Sequence, residues 1–84
     1  MAVLPWRAAA DCAAQRPSDG RWVASPCREK RRFVCRSGST FTLSAKALRG
    51  DRAPDGCGAP RTGRENEQAR AAADGRSVWL ALPS

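Results

Sequence analysis

Four cysteines, at positions 12, 27, 35 and 57, constrain this 84-residue chain more than anything else in it. A core of that size is marginal without staples, because a short chain buries too little of its surface. Here the shortage is acute. Leu, Ile, Val and Phe together supply 11 of 84 residues, about 13%, which is under the roughly 20% below which disorder is the default expectation. Alanine provides much of the 42% apolar fraction. Cysteines and the three tryptophans are therefore what a fold has to be built on.

Local signals alternate between strands and turns. A short strand is expected at residues 11–15 around Cys12, followed by the turn Pro17-Ser18-Asp19-Gly20, where Pro and Gly set backbone angles and Asp can bond its own backbone. Arg21-Trp22-Val23-Ala24 reads as a strand, which Ser25-Pro26 ends because proline cannot donate to a ladder. Residues 28–32 read as a charged loop. Arg32-Phe33-Val34-Cys35-Arg36 and Thr40-Phe41-Thr42-Leu43 alternate as half-buried strands do, joined by a flexible Ser37-Gly38-Ser39. Between 46 and 62, glycines and prolines stand too close together for a stable helix. The clearest helix runs from about 62 to 74. Thr62 and Glu65 form a capping box, Ala69, Ala72 and Ala73 offer a thin buried face, and Gly75 suits the C-terminal cap. Ser77–Leu82 then reads as a buried strand. The fold class is α+β: a small disulfide-stapled antiparallel β scaffold with one helix.

Several chemistries lack their residues. The cysteine spacings of 15, 8 and 22 include no Cys-x-x-Cys, and the chain has no histidine, so structural disulfides are favoured over a zinc site. A nucleophilic cysteine would have no imidazole base, and no acidic pair has catalytic spacing. The chain is read as a non-enzyme without cofactors. Disulfides imply an oxidising compartment. Yet no signal peptide is visible: Met1-Ala-Val-Leu-Pro-Trp is too short for an apolar segment, and Pro5 and Arg7 interrupt it. No stretch approaches the ~20 apolar residues of a membrane span.

The net charge is +7, carried by arginine far more than lysine. The densest basic cluster is Arg28, Lys30, Arg31, Arg32 and Arg36. It is read first as a solvated strand edge that discourages edge-to-edge pairing. On that reading, neutralising it changes stability little and polyanions bind weakly at physiological salt. The other reading is an anion platform for sulfated or phosphorylated glycans or nucleic acid.

Residues 11–36 carry the run Asp11-Cys12, Gly20-Arg21-Trp22, Cys27 and Phe33-Val34-Cys35. This resembles the C-terminal part of a C-type lectin-like domain. Residues 40–82 resemble the N-terminal part of the same family: Phe41-Thr42-Leu43-Ser44 its first strand, Ala53 to Cys57 the end of its first helix, Pro60 to Asn66 the approach to its second helix, and Val78-Trp79-Leu80 its core strand. The order is tail first, head second. The implied organisation is a C-terminal-like part at 1–36, a linker at 37–39 and an N-terminal-like part at 40–84. Either the chain spans the junction of two tandem domains, or its halves close on each other as a permuted domain. The resemblance implies a Cys12–Cys27 disulfide and, in the closed case, Cys35–Cys57. It also implies that Trp22 and Trp79 are core, leaving Trp6 as the candidate for stacking on a sugar ring. Family calcium sites need an acid-amide pair just after the strand tryptophan; here Val23-Ala24 stand there, Ala10 replaces the usual acid before Asp11, and the ligand-bearing long loop is absent. The function implied is calcium-independent lectin-like binding or structural display within a modular extracellular protein. A glycan or protein is the implied ligand, a polyanion is a further one, and no specific nucleic acid is expected. The alternatives left open are a basic anion- or nucleic-acid-binding peptide and a fragment without autonomous function.

Overall fold

A computed structural model describes residues 11–82. The chain forms β1 (Asp11–Gln15), β2 (Trp22–Pro26), β3 (Lys30–Arg31), β4 (Val34–Ser37), β5 (Thr40–Leu43), β6 (Leu48–Arg49), α1 (Gly63–Ala73) and β7 (Val78–Trp79). These assemble as a three-stranded sheet in the order β2-β1-β7 and two two-stranded ribbons, β3-β6 and β4-β5. All the ladders between these strands are antiparallel.

The β1–β2 hairpin follows from its turn. Asp19 accepts the Arg21 N–H on its side chain, Gly20 N–H donates to the Arg16 carbonyl, and Gly20 takes a positive φ of 72° that other residues resist. Register then sets Cys12 opposite Ser25 and Gln15 opposite Trp22. The expected joint at 37–39 is instead the tip of a hairpin: Ser37 faces Thr40, and Gly38-Ser39 form the two-residue loop. The two parts of the chain thus share one architecture. β7 pairs with β1, the helix packs on β4 and β5, and Cys35 is bonded to Cys57. No helix forms at 53–57, where Asp55 and Gly56 make a turn closed by the Cys57 N–H donating to the Pro54 carbonyl. The segment 28–32 is not a plain loop, since Lys30 and Arg31 pair with Arg49 and Leu48.

Strand alternation splits the interior in two. Ala13, Val78 and Leu80 face the helix with Val34, Ala69 and Ala73. Ala14 and Trp79 point the other way and pack with Phe33, flanked by Cys12, Cys35, Cys57 and Leu48. Alanines on α1 let the short helix sit close to the sheet. Its N-cap is Thr62, whose hydroxyl accepts the Glu65 N–H. Only half of the expected capping box forms, because the Glu65 carboxylate turns back to the N–H and guanidinium of Arg61 rather than to Thr62. At the other end Asp74, not Gly75, is the left-handed C-cap, with φ 53° and ψ 52°.

A buried polar network ties the helix to the first hairpin. Asn66 Oδ1 accepts from Gln15 Nε2 at 2.9 Å and from Trp22 Nε1 at 2.7 Å, while Asn66 Nδ2 donates to the Gly20 carbonyl. Such groups are costly when orphaned. Asn66→Ala is therefore expected to destabilise the fold by about 1–3 kcal/mol, read as a lowered urea midpoint. A midpoint equal to that of the parent would mean that the network is not formed.

Candidate basic face

The residues with unused chemistry gather around the β3–β6 ribbon. Antiparallel partners share a face, so the register pair Lys30 and Arg49 project together, away from the side occupied by Arg31 and Leu48. That inner side rests on Trp79. The Arg31 guanidinium lies 4.7 Å from the centre of the indole ring. The Trp79 Nε1–H donates to the carbonyls of Glu29 at 3.1 Å and Leu48 at 3.0 Å, one on each side of the ribbon. Trp79 is fully buried, so this anchor is sheltered from water.

The first disulfide supports the same ribbon. Cys12 and Cys27 are bonded with their α-carbons 5.1 Å apart. Gly50, just past β6, donates its N–H to the Cys27 carbonyl at 2.7 Å. A β-carbon at Gly50 would come within 2.8 Å of the Cys12 β-carbon and 3.0 Å of the Trp79 ring, so only glycine lets the backbone approach this closely.

Charge is uneven over the molecule. Among the described residues, six cations have no carboxylate within 4 Å: Arg28, Lys30, Arg32, Lys46, Arg52 and Arg64. All but Arg64 lie in segments 28–32 and 46–52, which form and flank the ribbon. Those segments hold seven cations against two carboxylates, Glu29 and Asp51.

This arrangement re-sorts the basic cluster singled out in the sequence. Arg28, Lys30 and Arg32 are exposed. Arg31 is turned inward over Trp79 and pairs with Glu29 at 2.9 Å. Arg36 does not belong to the group: it sits on β4, donates to the Ala59 carbonyl at 3.0 Å and approaches Glu65 at 4.0 Å. Lys46, Arg49 and Arg52 escape a reading of the sequence because they are scattered through the Gly/Pro-rich stretch. Only the β3–β6 pairing brings them to the first segment. Trp22 is half-buried and hydrogen-bonded to Asn66. Trp6, the candidate sugar-stacking residue, lies outside the described residues.

On the ribbon Arg49 is bridged to Asp51 at 2.9 Å, and away from it most cations are ion-paired as well. A shallow groove of about 380 Å³ is lined by Pro17, Glu67, Arg70, Ala71, Asp74 and Gly75. There Arg70 is occupied by the carbonyls of Pro17 and Ser18 and by Glu67. Among the described residues no group of three or more Cys, Asp or Glu side chains is placed to hold a metal ion. No described helix is long and apolar enough to cross a membrane.

Two carboxylates are strongly perturbed. Hydrogen bonds from Arg61 hold Glu65 down at about 2, and those from Arg16 and the Arg21 N–H hold Asp19 at about 2. Folded values below the unfolded ones mean that both groups favour the native state when ionised. Their contribution is complete above the unfolded carboxylate range near 4 and is lost as pH falls toward 2. Thermal midpoints measured between those limits are expected to fall with pH, and less steeply in a Glu65→Gln variant. Identical slopes for the two proteins would remove the Arg61–Glu65 pair from the account.

Comparison of the chain with protein-family models, with curated proteins and with solved structures finds no match.

Proposed function

We propose that this chain is a calcium-independent binding module of lectin-like build, working in an oxidising extracellular setting, and that its ligand is anionic. The observation that carries the binding reading is the gathering of five cations without a carboxylate partner, Arg28, Lys30, Arg32, Lys46 and Arg52, on and beside the β3–β6 ribbon. Across the ribbon from Lys30, Arg49 is held by Asp51 through two hydrogen bonds, which leaves Lys30 without a carboxylate of its own. The lectin-like part rests on the resemblance, and both disulfides agree with the pairing that the resemblance implies for a closed domain.

The test uses inorganic polyphosphate as probe, with the oxidised chain at about 0.15 M ionic strength, where exposed charges act only over about 8 Å. Binding is expected to be lost in Lys30→Glu/Arg32→Glu and unchanged by millimolar calcium or a chelator. Reduction of the disulfides is expected to weaken it, because the ribbon leans on Cys12 and Cys27. Binding that survives charge reversal, or that needs calcium, overturns the proposal. Binding fully retained by the reduced chain would make this a charged peptide rather than a folded module.

A further inference from the structure

The basic ribbon is also distinguished by what it lacks, and this narrows the ligand class; the step rests on the anionic-ligand reading above. We propose that the face formed by Arg28, Lys30, Arg32, Lys46, Arg49 and Arg52 binds a linear sulfated polysaccharide.

Single-stranded nucleic acids gain roughly 1–3 kcal/mol per base by stacking on exposed aromatic rings. Among the described residues the ribbon offers none. Phe33 and Trp79 are fully buried, and the Trp79 ring is covered by Arg31. Trp22 and Phe41 pack against the helix-side core. Guanine edges are read by arginine or lysine, whereas adenine is read by side-chain amides. Segments 28–32 and 46–52 contain no Asn, Gln, Ser or Thr. The face therefore has the means to hold anionic groups and, beyond arginine and lysine contacts to guanine, little with which to engage bases.

The geometry suits a chain of closely spaced anions. Neighbouring strands lie about 4.8 Å apart, and alternate residues along one strand about 6.5 Å apart. Lys30 and Arg49 stand at the first backbone spacing, with the Arg49 guanidinium bridged to Asp51; Lys30 and Arg32 stand at the second where the chain is extended. Four of the six cations are arginines, whose planar guanidinium presents a fork to a tetrahedral oxyanion and sheds water more easily than an ammonium. Both disulfides suit a setting where oxidised cysteines persist, and sulfated polysaccharides outside the cell share that setting.

The experiment compares three probes against the oxidised full chain: a heparin decasaccharide, the same oligosaccharide desulfated, and a single-stranded DNA of equal charge. The heparin probe is expected to bind tightest, and the desulfated one about tenfold or more weaker as its counterion release falls. With four ionic contacts, affinity for heparin is expected to drop roughly 50-fold between about 50 and 200 mM salt. The variant Lys30→Gln/Arg32→Gln/Lys46→Gln/Arg52→Gln removes only cations without ion pairs, so its fold should survive, and near-ultraviolet dichroism checks this. It is expected to lose affinity on the order of 10–100-fold. The control Arg64→Gln/Arg76→Gln, off the ribbon, should stay within about twofold because distant charges are screened. DNA bound as tightly as heparin, desulfation without effect, or an equal loss in the control each overturn the sulfated-glycan assignment. Polyphosphate binding at the ribbon without heparin binding would overturn this inference alone. No binding to any polyanion would overturn the anionic-ligand reading as well.

Discussion

Trp79→Ala is expected to leave the chain largely unfolded at room temperature, through a loss of about 3–5 kcal/mol from the cavity alone. A domain of this size begins near the low end of the usual range of roughly 5–15 kcal/mol, so little would remain. Among the described residues Trp79 is the largest fully buried side chain, and it closes the second core with Ala14 and Phe33. Its indole N–H also donates to the Glu29 and Leu48 carbonyls, which would lose that bond together with the ring. Trp79→Phe separates the two roles. It keeps most of the ring volume and loses the donor, with an expected cost of about 1–3 kcal/mol. Urea titration followed by far-ultraviolet dichroism reads both variants. If Trp79→Ala unfolded at nearly the parent's midpoint, the second core would not be where the structure places it. The Phe variant should also weaken polyanion binding while still folded, since it frees the ribbon from its anchor.

The second large effect belongs to the disulfides. Replacing Cys12 and Cys27 by Ala reopens a separation of 15 residues, and replacing Cys35 and Cys57 reopens 22. In the chain-entropy model each bond is worth about 3 kcal/mol through restriction of the unfolded state. With so few large apolar residues, loss of either bond is expected to shift most molecules toward unfolded forms at about 37 °C, and loss of both to abolish cooperative melting. Peptide mapping of the unreduced chain should give Cys12–Cys27 and Cys35–Cys57 within one monomer. Dominant pairing of Cys12 with Cys35 or Cys57 would contradict the arrangement described. A cooperative melt at an unchanged temperature after removal of both would mean that the core is far stronger than its composition indicates.

The parts of this fold that the sequence displays are those fixed by neighbours in the chain. Pro17-Ser18-Asp19-Gly20 makes its turn by itself, and Thr62 caps a helix whose partner N–H is three residues away. The strands at 11–15 and 40–43 are visible as well, the second by its alternation. What stays hidden depends on distant partners. Asn66 looks like any polar helix residue until Gln15 and the Gly20 carbonyl, 51 and 46 residues away, close around it. β3 and β6 are two residues each and mostly charged, so neither shows a strand pattern. They exist because Trp79, remote in sequence, supplies the hydrogen bonds that hold them. The basic face is half legible for the same reason: one of its segments is a visible charge run, and the other becomes part of it only through pairing. Arg36, by contrast, belongs to that run only by proximity in sequence, and strand direction carries it elsewhere.

The pairing of β1 with β7 has a mechanical consequence. The two strands are antiparallel, so the backbone enters β1 and leaves β7 at the same end of the sheet. Tension applied through residues preceding Asp11 and following Leu82 would load the β1–β7 hydrogen bonds one after another, in peeling rather than in shear. The sheet should open at low force. Extension should then stop early, because the stretches 12–27 and 35–57 are short-circuited by their disulfides and cannot lengthen until these are reduced. Pulled while oxidised, the molecule is a soft latch in series with two inextensible loops; pulled while reduced, it is a single long thread.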